Sequence, residues 1–234
     1  MKNKKIEEEI ARKRHKERLK GERRKEPKLE RESPRLIEKP SILIVCEGKN
    51  TEPSYFNQFK VSSAIVKSVG TGCNTISLVR RAKKIAETNE FDQVWCVFDK
   101  DDFKDQDFNR AIKLAERYHY GVAYSNQAFE YWLILHLDDH QGGRMDRDNY
   151  NDKINELLKP FHVAYDGGDT GCKIVTEDFF DILIGPDEKS RRKRVDLAIE
   201  RAKRIYDTLD HFSPAKEESS TTVFRLASEL IKYA

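Results

Sequence analysis

The chain has 234 residues, enough to bury a substantial core in one large domain with appendages. Charged residues make up 36% and hydrophobic ones 38%; no apolar run approaches 18 residues, so neither a membrane span nor a secretory signal is expected. The net charge of +3 hides an asymmetry, because residues 1–39 carry 16 Lys and Arg against 9 Glu while the remainder carries 28 against 32 acids. Such a basic arm on a mildly acidic body fits contact with a phosphate backbone, or a solvated tail that favours solubility. The cysteines, Cys46, Cys73, Cys96 and Cys172, have no zinc-type spacing, which predicts reduced thiols in a cytoplasmic protein.

In chain order, residues 1–39 pair Glu with Lys or Arg at helical spacing, which supports an exposed helix in part of the arm. Pro27, Pro34 and Pro40 break it into a linker. Residues 41–46, Ser-Ile-Leu-Ile-Val-Cys, read as a buried strand ending in Glu47-Gly48-Lys49. A helix over 52–60, with Asn50 or Thr51 as its cap, and a weaker strand at 64–69 follow. The amphipathic stretch 74–89 predicts a helix, and Val94-Trp95-Cys96-Val97-Phe98 a second fully buried strand. A helix over 106–118, a strand over 121–125 and an apolar helix over 127–137 complete a run of alternating elements. That alternation argues for βαβ units and a doubly wound, mostly parallel sheet with helices on both faces. Beyond Asp138 the chain turns polar, and helices are expected at 151–158, 173–184, 189–209 and 221–233. The division expected is therefore a basic arm at 1–39, an α/β core at 40–138 and a mostly helical extension packed on it at 139–234.

Candidate chemistry gathers at the strand ends, where open α/β sheets bind ligands. Asp99 and Asp101 leave the buried strand together, and crowded carboxylates repel unless they share a hard cation such as Mg²⁺. The competing reading is a solvated turn in which Asp102 caps the next helix. Lys49 could meet a phosphate oxygen or simply face solvent. Glu130, on an apolar helix start, is either a site residue or a carboxylate favoured by the helix dipole. Asn126 reads as an N-cap, and His136 as a site residue or a structural histidine. Arg191, Arg192, Lys193 and Arg194 form a basic run fit to track a nucleic-acid backbone. Neither a P-loop nor a nucleophile elbow is present.

Two strand tips carrying acids, Glu47 in Ile44-Val45-Cys46-Glu47-Gly48 and then Asp99-x-Asp101, resemble the Toprim domain of topoisomerases, primases and OLD-type nucleases. Cys46-Glu47-Gly48-Lys49-Asn50-Thr51-Glu52-Pro53-x-Tyr55-Phe56 and Val94 to Phe103 resemble, more narrowly, motifs of the RloB-like proteins. Ser125-Asn126-x-x-Phe129-Glu130-x-Trp132-Leu133-x-Leu135-His136 resembles a third motif, with Gln127 where proline is usual. Ser219-Ser220-Thr221-Thr222-Val223 resembles the closing segment without its proline. The resemblance implies a Toprim-like fold and a Mg²⁺- or Mn²⁺-dependent nuclease acting on DNA or RNA in phage defence by abortive infection. It further implies an AAA- or ABC-type ATPase partner encoded nearby, while a homo-oligomer stays open. Glu47, Asp99 and Asp101 would then be catalytic metal ligands, with Lys49 and Glu130 assisting. A non-catalytic module that binds nucleic acid or the ATPase is the alternative.

Overall fold

The computed structural model describes residues 2–23, 39–68, 75–101, 103–141, 143–167 and 173–234. Two units result, one ending at Glu38 and one from Lys39 to Ala234. The first holds α1 (Lys2–Arg23), a longer helix than the charge pattern alone required. Extension and core share one unit, because the extension supplies helices to the main hydrophobic cluster and a strand to the sheet.

The second unit alternates β1 (Ile42–Cys46), α2 (Thr51–Asn57), β2 (Ala64–Ser68), α3 (Thr75–Ala86), β3 (Gln93–Asp99), α4 (Asp105–Arg117), β4 (Gly121–Asn126) and α5 (Glu130–Leu137). It continues with α6 (Tyr150–Leu158), α7 (Glu177–Ile184), α8 (Arg194–Asp207), β5 (Ser220–Thr221) and α9 (Val223–Ile231). The sheet order is β2-β1-β3-β4-β5, with β1 to β4 parallel and β5 antiparallel to β4. From β1 the chain moves outward to β2, then returns to β3 on the other side. The order therefore reverses between β1 and β3, which opens a crevice at their carboxyl ends.

Burial alternates along each strand with the pleat. Ile42, Ile44 and Cys46 meet α2 and the α5–α9 layer, whereas Leu43, Val45, Cys96 and Phe98 meet α3 and α4. Residues Tyr131–His136 of α5 are all buried, as expected of a helix apolar all round. Among the described residues no helix is long and apolar enough to cross a membrane.

Three boundaries differ from the sequence reading, each for a local reason. α7 starts at Glu177 because Thr176 Oγ1 caps the N–H of Phe179 at 3.3 Å. α8 starts at Arg194 rather than 189, since Asp187 Oδ2 accepts from the N–H and hydroxyl of Ser190 and closes a turn. β5 displaces the expected helix start, and it satisfies the edge of β4 together with the next residue, Thr222. Thr222 Oγ1 donates to Val122 O at 3.1 Å and accepts from Tyr124 N at 2.9 Å. Thr221 Oγ1 donates to Tyr124 O at 2.9 Å.

Candidate acidic site

The crevice at the β1/β3 switch point collects carboxylates from four places in the chain. The β1 ladder continues one residue past the strand, with Glu47 N donating to Val97 O at 2.9 Å, so Glu47 stands beside the end of β3. There the Glu47 carboxylate comes under the influence of Asp101 and Glu52. Asp99 pairs in register with Ser125, and its Oδ2 accepts the N–H of Phe129 at 3.1 Å, which ties β3 to the start of α5 and brings Glu130 into range. Lys100 N and Asp101 N donate to Ser125 O and Gln127 O, so the Asp99–Asp101 loop is fastened to the end of β4. Asp101 has φ +40°, a left-handed conformation that Asp tolerates better than branched residues do.

The sequence reading treated Glu52 as an ordinary first-turn acid of α2. It is only 6% exposed, and its Oε1 accepts the N–H of Gly48 at 3.1 Å. A Cβ on Gly48 would overlap that carboxylate, so the glycine is there to admit Glu52. Five acids thus share one crevice: Glu47, Glu52, Asp99, Asp101 and Glu130.

Their ionisation shows the strain of that arrangement. Burial, then Asp101 and Glu52, push Glu47 up to about 8. Burial, with Glu130 and Asp101, pushes Glu52 up to about 7. Asp99 is raised well above the usual carboxylate range by burial, then by Glu52, Asp101 and Glu130. Among the described residues, Glu47 Oε2 and Asp99 Oδ1 are buried without a hydrogen-bond partner. Orphaned acceptors among like charges mark a place for a cation or for protons.

One cation is already present. Arg147, from the polar stretch beyond α5, forms an ion pair with Asp101 and also feels Asp99 and Glu130. Its N–H donates to Gln127 Oε1 at 2.9 Å, which aims the side chain into the crevice. Nothing in the sequence pattern singled it out. Tyr165 closes another side, donating to Glu130 Oε1 at 2.9 Å and lying 3.1 Å from Thr51 Oγ1. Among the described residues, no three His, Cys, Asp or Glu side chains are arranged as a group that could hold a metal ion. The donor set, hard oxygens with two unpartnered atoms, nevertheless suits Mg²⁺ chemically.

The remaining candidates lie elsewhere or have other duties. Lys49 is exposed on the Glu47 loop. Asp102 lies outside the described residues. Asn126 is not an N-cap: it is fully buried at the end of β4, with Nδ2 donating to Pro214 O at 2.9 Å. His136 is buried between Tyr55 OH, 3.1 Å from its Nε2, and Trp132 O, 2.9 Å from its Nδ1. The basic run sits on the turn before α8. Arg191 and Lys193 are exposed, Arg192 pairs with Glu200 at 2.6 Å, and Arg194 is turned inward onto Phe161 and Ile182 O. Arg194 is thereby removed from any surface that could follow a backbone.

A family model described as RloB-like protein matches residues 42–230. No curated protein and no solved structure matches the chain.

Proposed function

The chain belongs to the RloB-like protein family, and from that premise we propose a Mg²⁺- or Mn²⁺-dependent nuclease with a Toprim-type site that cleaves phosphodiester bonds in DNA or RNA. The observation that carries the reading is the convergence of Glu47, Glu52, Asp99, Asp101 and Glu130 at the switch point, with Glu47 Oε2 and Asp99 Oδ1 buried and unpartnered. A structural loop gains nothing from such crowding, whereas a site for a cation and a phosphate requires it.

Glu47, Asp99 and Asp101 would hold the metal, which when bound offsets charge on the scissile phosphate and acidifies an attacking water. Glu47, whose proton affinity lies near neutrality, is suited to exchange a proton with that water through Oε2. Asp99 is oriented by the Phe129 N–H and Glu130 by the Tyr165 hydroxyl, so neither rotates freely. Lys49, exposed on the same loop, is placed to meet an incoming phosphate, and Arg191 and Lys193 offer a more distant backbone contact. In the cell this activity would serve phage defence in the cytoplasm, triggered by a partner ATPase, since the sequence has no P-loop.

A non-catalytic module is the second reading, and Arg147 favours it, because an arginine on Asp101 already supplies a cation. Cleavage of mixed DNA and RNA with Mg²⁺ or Mn²⁺, with and without the neighbouring ATPase, separates the two. Wild-type protein should cut, and Asp99→Ala should lose on the order of a hundredfold to a thousandfold. Equal activity in both proteins would remove the mechanism.

A further inference from the structure

We propose a second ligand site, independent of the acidic crevice, in the cavity beside the amino-terminal half of β4: it takes a planar heteroaromatic ring bearing an anionic group, the chemistry of a mononucleotide. The cavity holds about 330 Å³ and lies between β4, α4, α9 and the loop after α8. That is the lower end of the range for small-ligand pockets.

Three features define what it would accept. Its walls are aromatic, with Trp95, Tyr120 and Tyr206 among the lining residues. Tyr206 already stacks on His211, with centroids 3.7 Å apart and planes at 16°, and Arg225 lies 4.6 Å over the Tyr206 ring. His211 is steadied by Glu217, 3.2 Å from its Nδ1. Phe212, next in the chain, is 91% exposed at the cavity, an apolar ring with nothing yet to cover.

The second feature is charge. Lys113 and Arg225 line the cavity with one carboxylate, Glu116, so the lining itself is net positive, while Glu217 stands behind His211. Among the described residues neither cation is paired with an acid.

The third is a polar atom without a partner. Tyr124 is 3% exposed and lines the cavity, and among the described residues its hydroxyl makes no hydrogen bond. Burial, reinforced by Glu217 and Tyr206, keeps it a neutral phenol and hence a donor. A ring with a heteroatom satisfies the phenol and the walls together, while its acid meets Arg225 or Lys113.

Titration of the full chain with AMP, adenosine and ribose 5-phosphate by calorimetry tests the site. AMP should bind saturably, with adenosine and ribose 5-phosphate each about tenfold weaker or worse. Arg225→Gln should weaken AMP about tenfold and leave adenosine unchanged, and Lys113→Gln serves the same purpose should the first variant fold poorly. Tyr124→Phe should weaken AMP and adenosine alike, and Asp99→Asn should change neither. Absence of AMP binding at millimolar concentration, or AMP binding that none of the three cavity variants alters, overturns the proposal; equal affinity for adenosine and AMP overturns its anionic half.

Discussion

The two ends of the sheet pose opposite electrostatic problems. At the carboxyl ends of β1 and β3 the protein assembles five carboxylates and sets one arginine against them. Beside the amino-terminal half of β4 it places aromatic rings and, among the described residues, two cations with no acidic partner and one phenol with nothing to donate to. The first place is under-supplied with positive charge and holds protons in its stead. The second carries two cations that, among the described residues, form no ion pair. Both depart from what packing alone would select, and in opposite directions, which is the pattern expected where stability has been given up for binding. The contrast predicts that pH and divalent cations act on one end and leave the other untouched.

The largest effect expected is on thermal stability. Glu47, Glu52 and Asp99 all bind protons more tightly in the fold than in the unfolded chain, where carboxylates titrate near their ordinary values. As pH rises past those ordinary values the unfolded chain gives up its protons while the fold retains them, so stability falls. The loss continues until about 7 for Glu52 and about 8 for Glu47. His136 works the other way, since burial lowers it to about 3, but its contribution is complete once the unfolded histidine is neutral, near pH 6.5. Between about pH 6.5 and about pH 8.5, in EDTA, the melting temperature should therefore drop by several degrees. Mg²⁺ should restore most of the loss, and the Glu47→Gln/Glu52→Gln double variant should flatten the slope. A slope unchanged in that variant would mean that these acids are solvated rather than crowded.

A smaller effect belongs to Arg147. Its ion pair with Asp101 is roughly two-fifths exposed on both sides, so the pair adds at most about 1 kcal/mol to stability. What Arg147 changes is access, because a metal ion and a guanidinium compete for one carboxylate. Arg147→Gln should lower the Mg²⁺ concentration at half-saturation about fivefold, or about 1 kcal/mol, while the melting temperature moves little. Weaker Mg²⁺ binding in the variant would show that the arginine supports the site rather than occupying it.

The sequence exposed the framework of the crevice more readily than its contents. Runs such as Ile42–Cys46 and Val94–Phe98 are short, rich in β-branched or aromatic residues and apolar at every position, which suits a strand covered on both faces, so β1 and β3 and the acids at their tips stood out. β5 did not, because Ser220 and Thr221 carry no strand pattern, and their antiparallel pairing with β4, backed by the hydroxyls of Thr221 and Thr222, comes from about a hundred residues away. Glu52 was hidden by its position in a first helical turn, where acids are common on surfaces; its burial follows from α2 folding back over Gly48. Arg147 lies in a polar stretch without periodicity, and only the fastening of that stretch to Gln127 brings it to Asp101. Asn126 read as a cap because the residues after β4 look like a helix start, but α5 begins at Glu130 and the strand keeps Asn126. Each miss is a residue whose role is set by tertiary neighbours rather than by its own segment.

The smallest effect expected separates the two ends most cleanly. Tyr124→Phe removes a buried hydroxyl that has no partner, so nothing is broken and one desolvated polar group disappears. The ring still packs edge-on against Phe108, 5.4 Å between centroids, so the core is undisturbed. Unfolding free energy should stay constant or rise by up to about 1 kcal/mol, measured by denaturant titration. The fall in stability from pH 6.5 to 8.5 should be the same as in wild type, because Tyr124 stays neutral throughout that range. A loss of more than about 1 kcal/mol would show that the hydroxyl is bonded in solution, and the cavity would then lack the unmet donor that distinguishes it from an ordinary gap between aromatic rings.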